Sequence, residues 1–229
     1  MAKLMEHPIL FLDLLAGALN INIPPHILYT WFIMLLLVGL GLLASRSISL
    51  VPAGAQNVFE LIIGGLEEFM VEITGEEGRA FFPFIATLFL FIWVCNLSGL
   101  IPGFLSPTSN INTPLSMALC TFIFTHYLGI KYHGAKYIKH FLGPIPWLAP
   151  LFFPIEIIGH SARVLSLTLR LFGNIMGEDL VLAILLLLAG KFLAPLPVMF
   201  LAVFTSTVQA FIFTLLAMMY FAGSMEHAH

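Results

Sequence analysis

The sequence is short of charge. Only 9% of its 229 residues are Asp, Glu, Lys or Arg, where a soluble domain carries about 25%. There is no such residue from Ala80 to Ile130 and none from Pro197 to Gly223. That scarcity excludes a water-solvated fold with a charged shell. The net charge of −3 also argues against nucleic acid as a partner, because such binders present basic faces. Cysteine is nearly missing too. Cys95 and Cys120 each sit inside an apolar run and read as buried free thiols, small hydrophobes rather than a disulfide framework. Gly-x-Ser-x-Gly, His-Glu-x-x-His and the phosphate-binding loop do not occur. No cleavable leader stands out. The N-terminus runs through Asp13 and a turn-like Asn20-Ile21-Asn22-Ile23-Pro24-Pro25.

What fills the chain is hydrocarbon: 60% of the residues are apolar. A helical crossing needs about 20 such residues in a row. Helices are the economical choice, since lipid cannot hydrogen-bond an exposed backbone. The fold class is therefore an all-α integral membrane protein, read as one membrane domain over 1–229. Its expected helices are 26–45, 80–101, 113–131, a long 154–189 and a final 197–223. The second and third form a hairpin that turns over at Pro102-Gly103-Phe104-Leu105-Ser106-Pro107. One segment differs. Over 58–76, Val58, Phe59, Leu61, Ile62, Leu66, Phe69, Met70 and Ile73 interleave with Glu60, Glu67, Glu68 and Glu72. It reads as an amphipathic helix lying in the membrane interface, the alternative being a solvated helix packed on other protein. Arg46, Arg79, Lys131, Lys136 and Lys139 concentrate in two loops, which should be cytoplasmic, with Lys191 as an exception. The N-terminus then falls outside and the C-terminus inside.

The few charges that enter the membrane gather in one helix. The long segment holds Glu156, Arg163, Arg170, Glu178 and Asp179. A charge at mid-bilayer costs about 2.5–3.5 kcal/mol on insertion scales, so each marks a candidate functional site. Glu156, Arg163 and Arg170 are spaced by seven, which returns to within about 20° of one helical face. Asn174 extends this stripe, and His160, Ser161 and Ser166 add polar atoms beside it. Gly159, Gly173 and Gly177 thin the helix for a close neighbour. Asp179 lies nine residues beyond Arg170, about half a turn round, so it serves another face. At this length the helix must be strongly tilted, curved or kinked in a core about 30 Å thick. On the final helix Ala202, Ser206, Gln209 and Tyr220 share one side, which should meet protein or water rather than lipid.

Together these segments resemble subunit a of the F-type ATP synthases, the ATPase subunit 6 family, in its bacterial form. Ser166-Leu167-Thr168-Leu169-Arg170-Leu171-Phe172-Gly173-Asn174 resembles that family's arginine signature. Gln209-Ala210-Phe211-Ile212-Phe213 followed by Tyr220 is similar to its final helix. Asn96-Leu97-Ser98-Gly99-Leu100-Ile101-Pro102-Gly103 resembles its hairpin turn, and Phe153-Pro154-Ile155-Glu156-Ile157-Ile158 the start of its long helix. The resemblance covers nearly the whole chain. It implies a non-catalytic stator subunit of the F0 sector, with no cofactor and no metal, in the bacterial inner membrane. The last two helices would face a ring of c subunits, and the other partners would be the b subunits of the peripheral stalk and the rest of the complex. Two half-channels would carry protons to and from the membrane carboxylate of each c subunit. Arg170 would be the stator charge, with Asn174 and Gln209 beside it. Glu156 would belong to the cytoplasmic path, while Asp179 or, with a one-residue shift, Glu178 would be the acid of the outer one. Ala202 and Thr205 occupy the region of the final helix where some members place a His or Glu.

Two other classes compete. A secondary ion transporter would show inverted repeats or paired broken helices, and neither occurs. A sodium-coupled version of the same subunit would look alike in this chain. His126, His133 and His140 also recur every seven residues. Their neighbours Tyr127, Lys131, Tyr132, Lys136 and Tyr137 read as anchors on a helix emerging through the interface, not as a metal site.

Overall fold

The structure is a computed structural model that describes residues 10–18, 23–46, 55–101, 103–134, 137, 149–189 and 195–225. Lys136, Lys139, His140, Lys191, Pro102, the Asn20–Asn22 turn and the two chain ends lie outside the described residues. Helices carry the fold, with no strand among the described residues. They are α1 (Phe11–Ala18), α2 (Pro25–Arg46), α3 (Ala55–Thr74), α4 (Phe82–Ser98), α5 (Asn112–His133), α6 (Ala149–Ala189) and α7 (Pro195–Met225). Short 3-10 turns occupy Glu76–Phe81 and Pro107–Ser109. Among the described residues, five helical stretches are long and apolar enough to cross a membrane.

The outer surface explains why the solvent is lipid. Leu35, Ile158, Leu187, Leu188 and Phe200 are each more than half exposed. Cys120 belongs to this surface as well. It points out of α5 instead of into the core, because a thiol gains nothing from burial when lipid is as apolar as protein. Cys95 is buried, and both thiols are free.

Inside, α4, α5, α6 and α7 pack around Ile85, Ile92, Leu128, Leu171, Ala210, Met218 and Phe221. Small residues at Ala210 and Ala217 let α7 sit deep among its neighbours. Phe84 stacks on Phe124 with ring centroids 4.5 Å apart, and Phe124 meets Phe221 at 5.3 Å. The apolar side of α3 joins this core through Leu66 and Met70. Its acidic residues Glu60, Glu68 and Glu72 stay exposed, and Arg79 pairs with Glu67 at 3.0 Å.

Two features depart from the sequence reading. One is α1, which the turn-like N-terminal segment did not announce. It is held by tertiary contacts: the Phe11 amide donates to the Gly103 carbonyl at 3.2 Å, and Tyr29 Oη donates to the same oxygen at 3.0 Å. The other is the start of α6, which lies at Ala149, ahead of Pro154. A proline this near the helix start removes one hydrogen bond where the ladder has barely begun, so the helix tolerates it. At 41 residues, α6 is about 62 Å long, about twice the hydrocarbon thickness, and must run obliquely.

Candidate functional site

Arg170 stands at the middle of α6, on a face that no other described residue covers. It is exposed, as are Ser166, Gly173, Asn174 and Gly177 on the same side. A Cβ placed on Gly173 or Gly177 would meet no atom within 4 Å. Among the described residues Arg170 forms no ion pair. Its single hydrogen bond is a long one, 3.5 Å to Ser166 Oγ one turn earlier. The stripe expected from the sevenfold spacing is present, but its members differ. Arg163 is exposed and lies over the Tyr220 ring at 5.4 Å. Glu156 is half-buried and contacts His160.

The opposite face of α6 packs inward through Leu167, Thr168, Leu171 and Ile175. Asp179 continues that face, half a turn from Arg170. Its carboxylate lies beside the Ser109 hydroxyl. The close approach needs Gly99, where a Cβ would stand 2.8 Å from the Ser106 Cβ and 3.5 Å from Asp179 Oδ1. Gly103, with φ 87°, lets the hairpin fold back over this point.

Asp179 thereby touches one end of a buried polar string. Ser109 Oγ donates to the Ser106 carbonyl at 2.8 Å. Ser106 Oγ lies 2.8 Å from Thr108 Oγ1, which donates to Asn96 Oδ1 at 2.7 Å. Asn96 Nδ2 donates to the Ser206 carbonyl on α7 at 3.3 Å. Trp93 Nε1 adds a second tie between α4 and α7, to Thr207 Oγ1 at 2.9 Å. Beside this string, Glu178 Oε2 and Ser206 Oγ are buried without a hydrogen-bond partner among the described residues. Leaving such a group unpaired costs about 1–3 kcal/mol, so both are sites where passing polar species gain.

The other end of α6 carries a different set. His160 is buried, with Nε2 3.2 Å from Glu156 Oε1. Its ring meets the His126 ring edge-on, centroids 4.8 Å apart. His126 Nδ1 lies 2.8 Å from Tyr137 Oη. A small cavity beside these rings is lined by Thr121, Thr125, His160, Arg163 and Tyr220. His160 and Asp179 are 19 residues apart on one helix, about 29 Å along its axis, with Arg170 about midway.

Most of the residues singled out from the sequence fall in these three zones. Arg170 and Asn174 share the uncovered face; Asp179, Glu178 and Ser206 occupy one end; Glu156, His160 and Tyr220 occupy the other. Gln209 is buried on the inward side of α7, and no hydrogen bond joins it to Arg170 among the described residues. His126 and Tyr137 correct the sequence reading. Tyr137 was expected as an interface anchor and His126 was given no role, yet Tyr137 is buried and His126 turns inward onto His160. The heptad spacing of the histidines carried no hint of this, because the partner sits on another helix. The hydroxyl string from Ser106 to Asn96 was also missed, since Ser and Thr in a turn look the same whether or not they meet an acid.

The family described as ATP synthase A chain matches residues 27–222. A protein of Syntrophobacter fumaroxidans named ATP synthase subunit a is 59% identical over 239 aligned positions, covering 98% of this chain and 100% of that protein. One of the same name from Desulfosudis oleivorans is 61% identical, with the same coverage of both chains. A third, from Citrifermentans bemidjiense, is 53% identical and again covers 98% of this chain.

Proposed function

The chain belongs to the ATP synthase A chain family, and from that premise we propose that it is the proton-carrying stator subunit of the F0 sector. The observation that carries this reading is Arg170: an exposed cation at the centre of the longest described helix, with no carboxylate paired to it among the described residues. A charge at that depth costs about 2.5–3.5 kcal/mol, a cost that only a partner from outside the chain can offset. A membrane carboxylate on a ring of c subunits is the partner of the right sign. The bare glycines at 173 and 177 allow its helix to come close.

The chemistry follows from the residue types. Arginine keeps its charge at any accessible pH, whereas lysine loses its proton readily when desolvated. A fixed cation beside a carboxylate favours the ionised form. A rotor carboxylate reaching Arg170 therefore releases its proton on one side and takes up another before it returns to lipid. The two polar ends of α6 are the two routes by which protons come and go. Asp179, with Ser109, Asn96 and the unpaired oxygens of Glu178 and Ser206, forms the outer route. Glu156, His160 and Tyr220 form the cytoplasmic one. Arg170 stands between them, repels cations and blocks a direct leak. Asn174 and Gln209 flank it. Each unit charge crossing 100 mV releases about 2.3 kcal/mol, so several crossings drive each ATP made.

In this reading the subunit is not itself catalytic and holds no cofactor. It sits in the inner (plasma) membrane with its N-terminus outside and its C-terminus cytoplasmic. Its partners are the c ring, the b subunits of the peripheral stalk, the remaining complex and the lipid bilayer. The test is Arg170→Ala in inverted vesicles. The variant complex assembles and does not pump protons on ATP addition; normal pumping would sink the reading.

A further inference from the structure

The cytoplasmic route described above rests on a carboxylate, Glu156. The geometry around it points to more: we propose that His126 and His160 form an imidazole pair that collects and relays protons between Glu156 and the cavity beside Arg163, with Tyr137 positioning His126. The inference deepens the stator reading and rests on it.

Several observations support the pair. The two rings come from different helices, α5 and α6, and meet edge-on at 4.8 Å. His160 Nε2 is 3.2 Å from the Glu156 carboxylate. The cavity that runs past Thr121, Thr125, Arg163 and Tyr220 opens directly onto His160. Finally, Tyr137 is seated rather than passing by. Its ring fills the space over Gly129, where any Cβ would overlap it, and its hydroxyl lies 2.8 Å from His126 Nδ1. An aromatic collar of Phe122 packs against both histidines, at 4.2 Å and 6.0 Å between centroids.

The chemistry of imidazole suits the place. A neutral ring takes a proton on its free nitrogen and gives one up from the other, so each transfer leaves it neutral with its N–H moved to the opposite side. Rotation of the ring restores the starting tautomer before the next proton arrives, and no other bond changes. Burial pushes the Tyr137 phenol above its ordinary value, against the pull of Arg163, so it stays protonated at neutral pH and can hold the His126 ring. The charged and titratable groups facing the pair are Glu156 and Arg163 from α6, Tyr220 from α7, and Tyr137 from the segment after α5. Glu156 and Arg163 bring charges of opposite sign to the pair. Two imidazoles so close hold one proton between them more readily than two.

ATP-driven pumping in inverted vesicles tests the pair, because the cytoplasmic end then faces the bath. Protons in the bath become tenfold scarcer with each pH unit, so a collecting group matters most at high pH. The complex carrying His160→Gln should pump near the wild-type rate at about pH 6 and about tenfold more slowly at about pH 8. His126→Gln should show the same widening gap, and the double variant should be no worse than His160→Gln alone, since both remove one relay. Tyr137→Phe should give a smaller, equally pH-dependent loss. Assembly is checked by co-purification with the c ring and the soluble head, and if one single variant does not assemble the other carries the test. Pumping equal to wild type at every pH would overturn the proposal, as would a loss by one constant factor, which marks a purely structural role. Arg170→Ala, measured alongside, separates the two readings: if it still blocks pumping while the histidine variants are normal, the relay is wrong and the stator role stands.

Discussion

The two ends of α6 are lined by polar groups of different kinds. Around Asp179 the polar atoms are hydroxyls and an amide, Ser109, Ser106, Thr108 and Asn96, strung through a tight turn. Around Glu156 they are imidazoles and a phenol, set among aromatic rings. The first set does not change charge in the physiological range; the second contains the one side-chain type that ordinarily does. A route built on hydroxyls depends on its acids to bind the proton. A route built on imidazoles can store one. In the proposed reading, a single helix serves two aqueous sides without symmetry, and the cation between them keeps the routes apart.

The contrast can be broken by removing what is distinctive at each end. The largest effect is expected at the acids. In inverted vesicles, Asp179→Asn should slow ATP-driven pumping by about a hundredfold, as loss of a proton-transferring group does. Glu178→Gln should cost several-fold less, because Asp179 alone joins the hydroxyl string through Ser109. The reverse order would move the outer route to Glu178. A smaller effect, on stability, is expected from the string itself. Asn96→Ala removes the acceptor of the Thr108 hydroxyl and the side-chain donor to the Ser206 carbonyl, two contacts between buried groups, at a cost of about 1–3 kcal/mol. Thermal unfolding of the detergent-solubilised complex would register it as a lower midpoint; an unchanged midpoint would mean that the string does not bind α4 to α7.

Much of this was legible in the sequence, and the limits are physical. The all-α membrane class followed from charge-free runs as long as Ala80 to Ile130, because lipid leaves the chain no alternative to helices. Arg170 declared itself by being charged in the wrong solvent, and the sevenfold spacing put it on the face where it is found. What failed were contacts between helices. Nothing local distinguishes His126, which turns inward, from a histidine at the interface. Cys120 looked buried because soluble intuition hides thiols, whereas here the outside is equally apolar. The helix α1 escaped notice since its support comes from Gly103 and Tyr29, distant in sequence. Gly99 was visible only as part of a motif; that it makes room for Asp179 required the turn and α6 together.

The central claim is that the counter-charge of Arg170 comes from outside the chain and passes across the uncovered face of α6. Asn174, one turn from Arg170 and exposed on that face, is the place to look. In a complex whose native thiols Cys95 and Cys120 are replaced by serine, Asn174→Cys is oxidised against single thiols placed along the membrane helix of the c subunit. The account predicts a disulfide to positions within about one turn of the c-subunit carboxylate, and none far from it. Cross-linking to the peripheral stalk instead, or to no c-subunit position in an assembled complex, would contradict it.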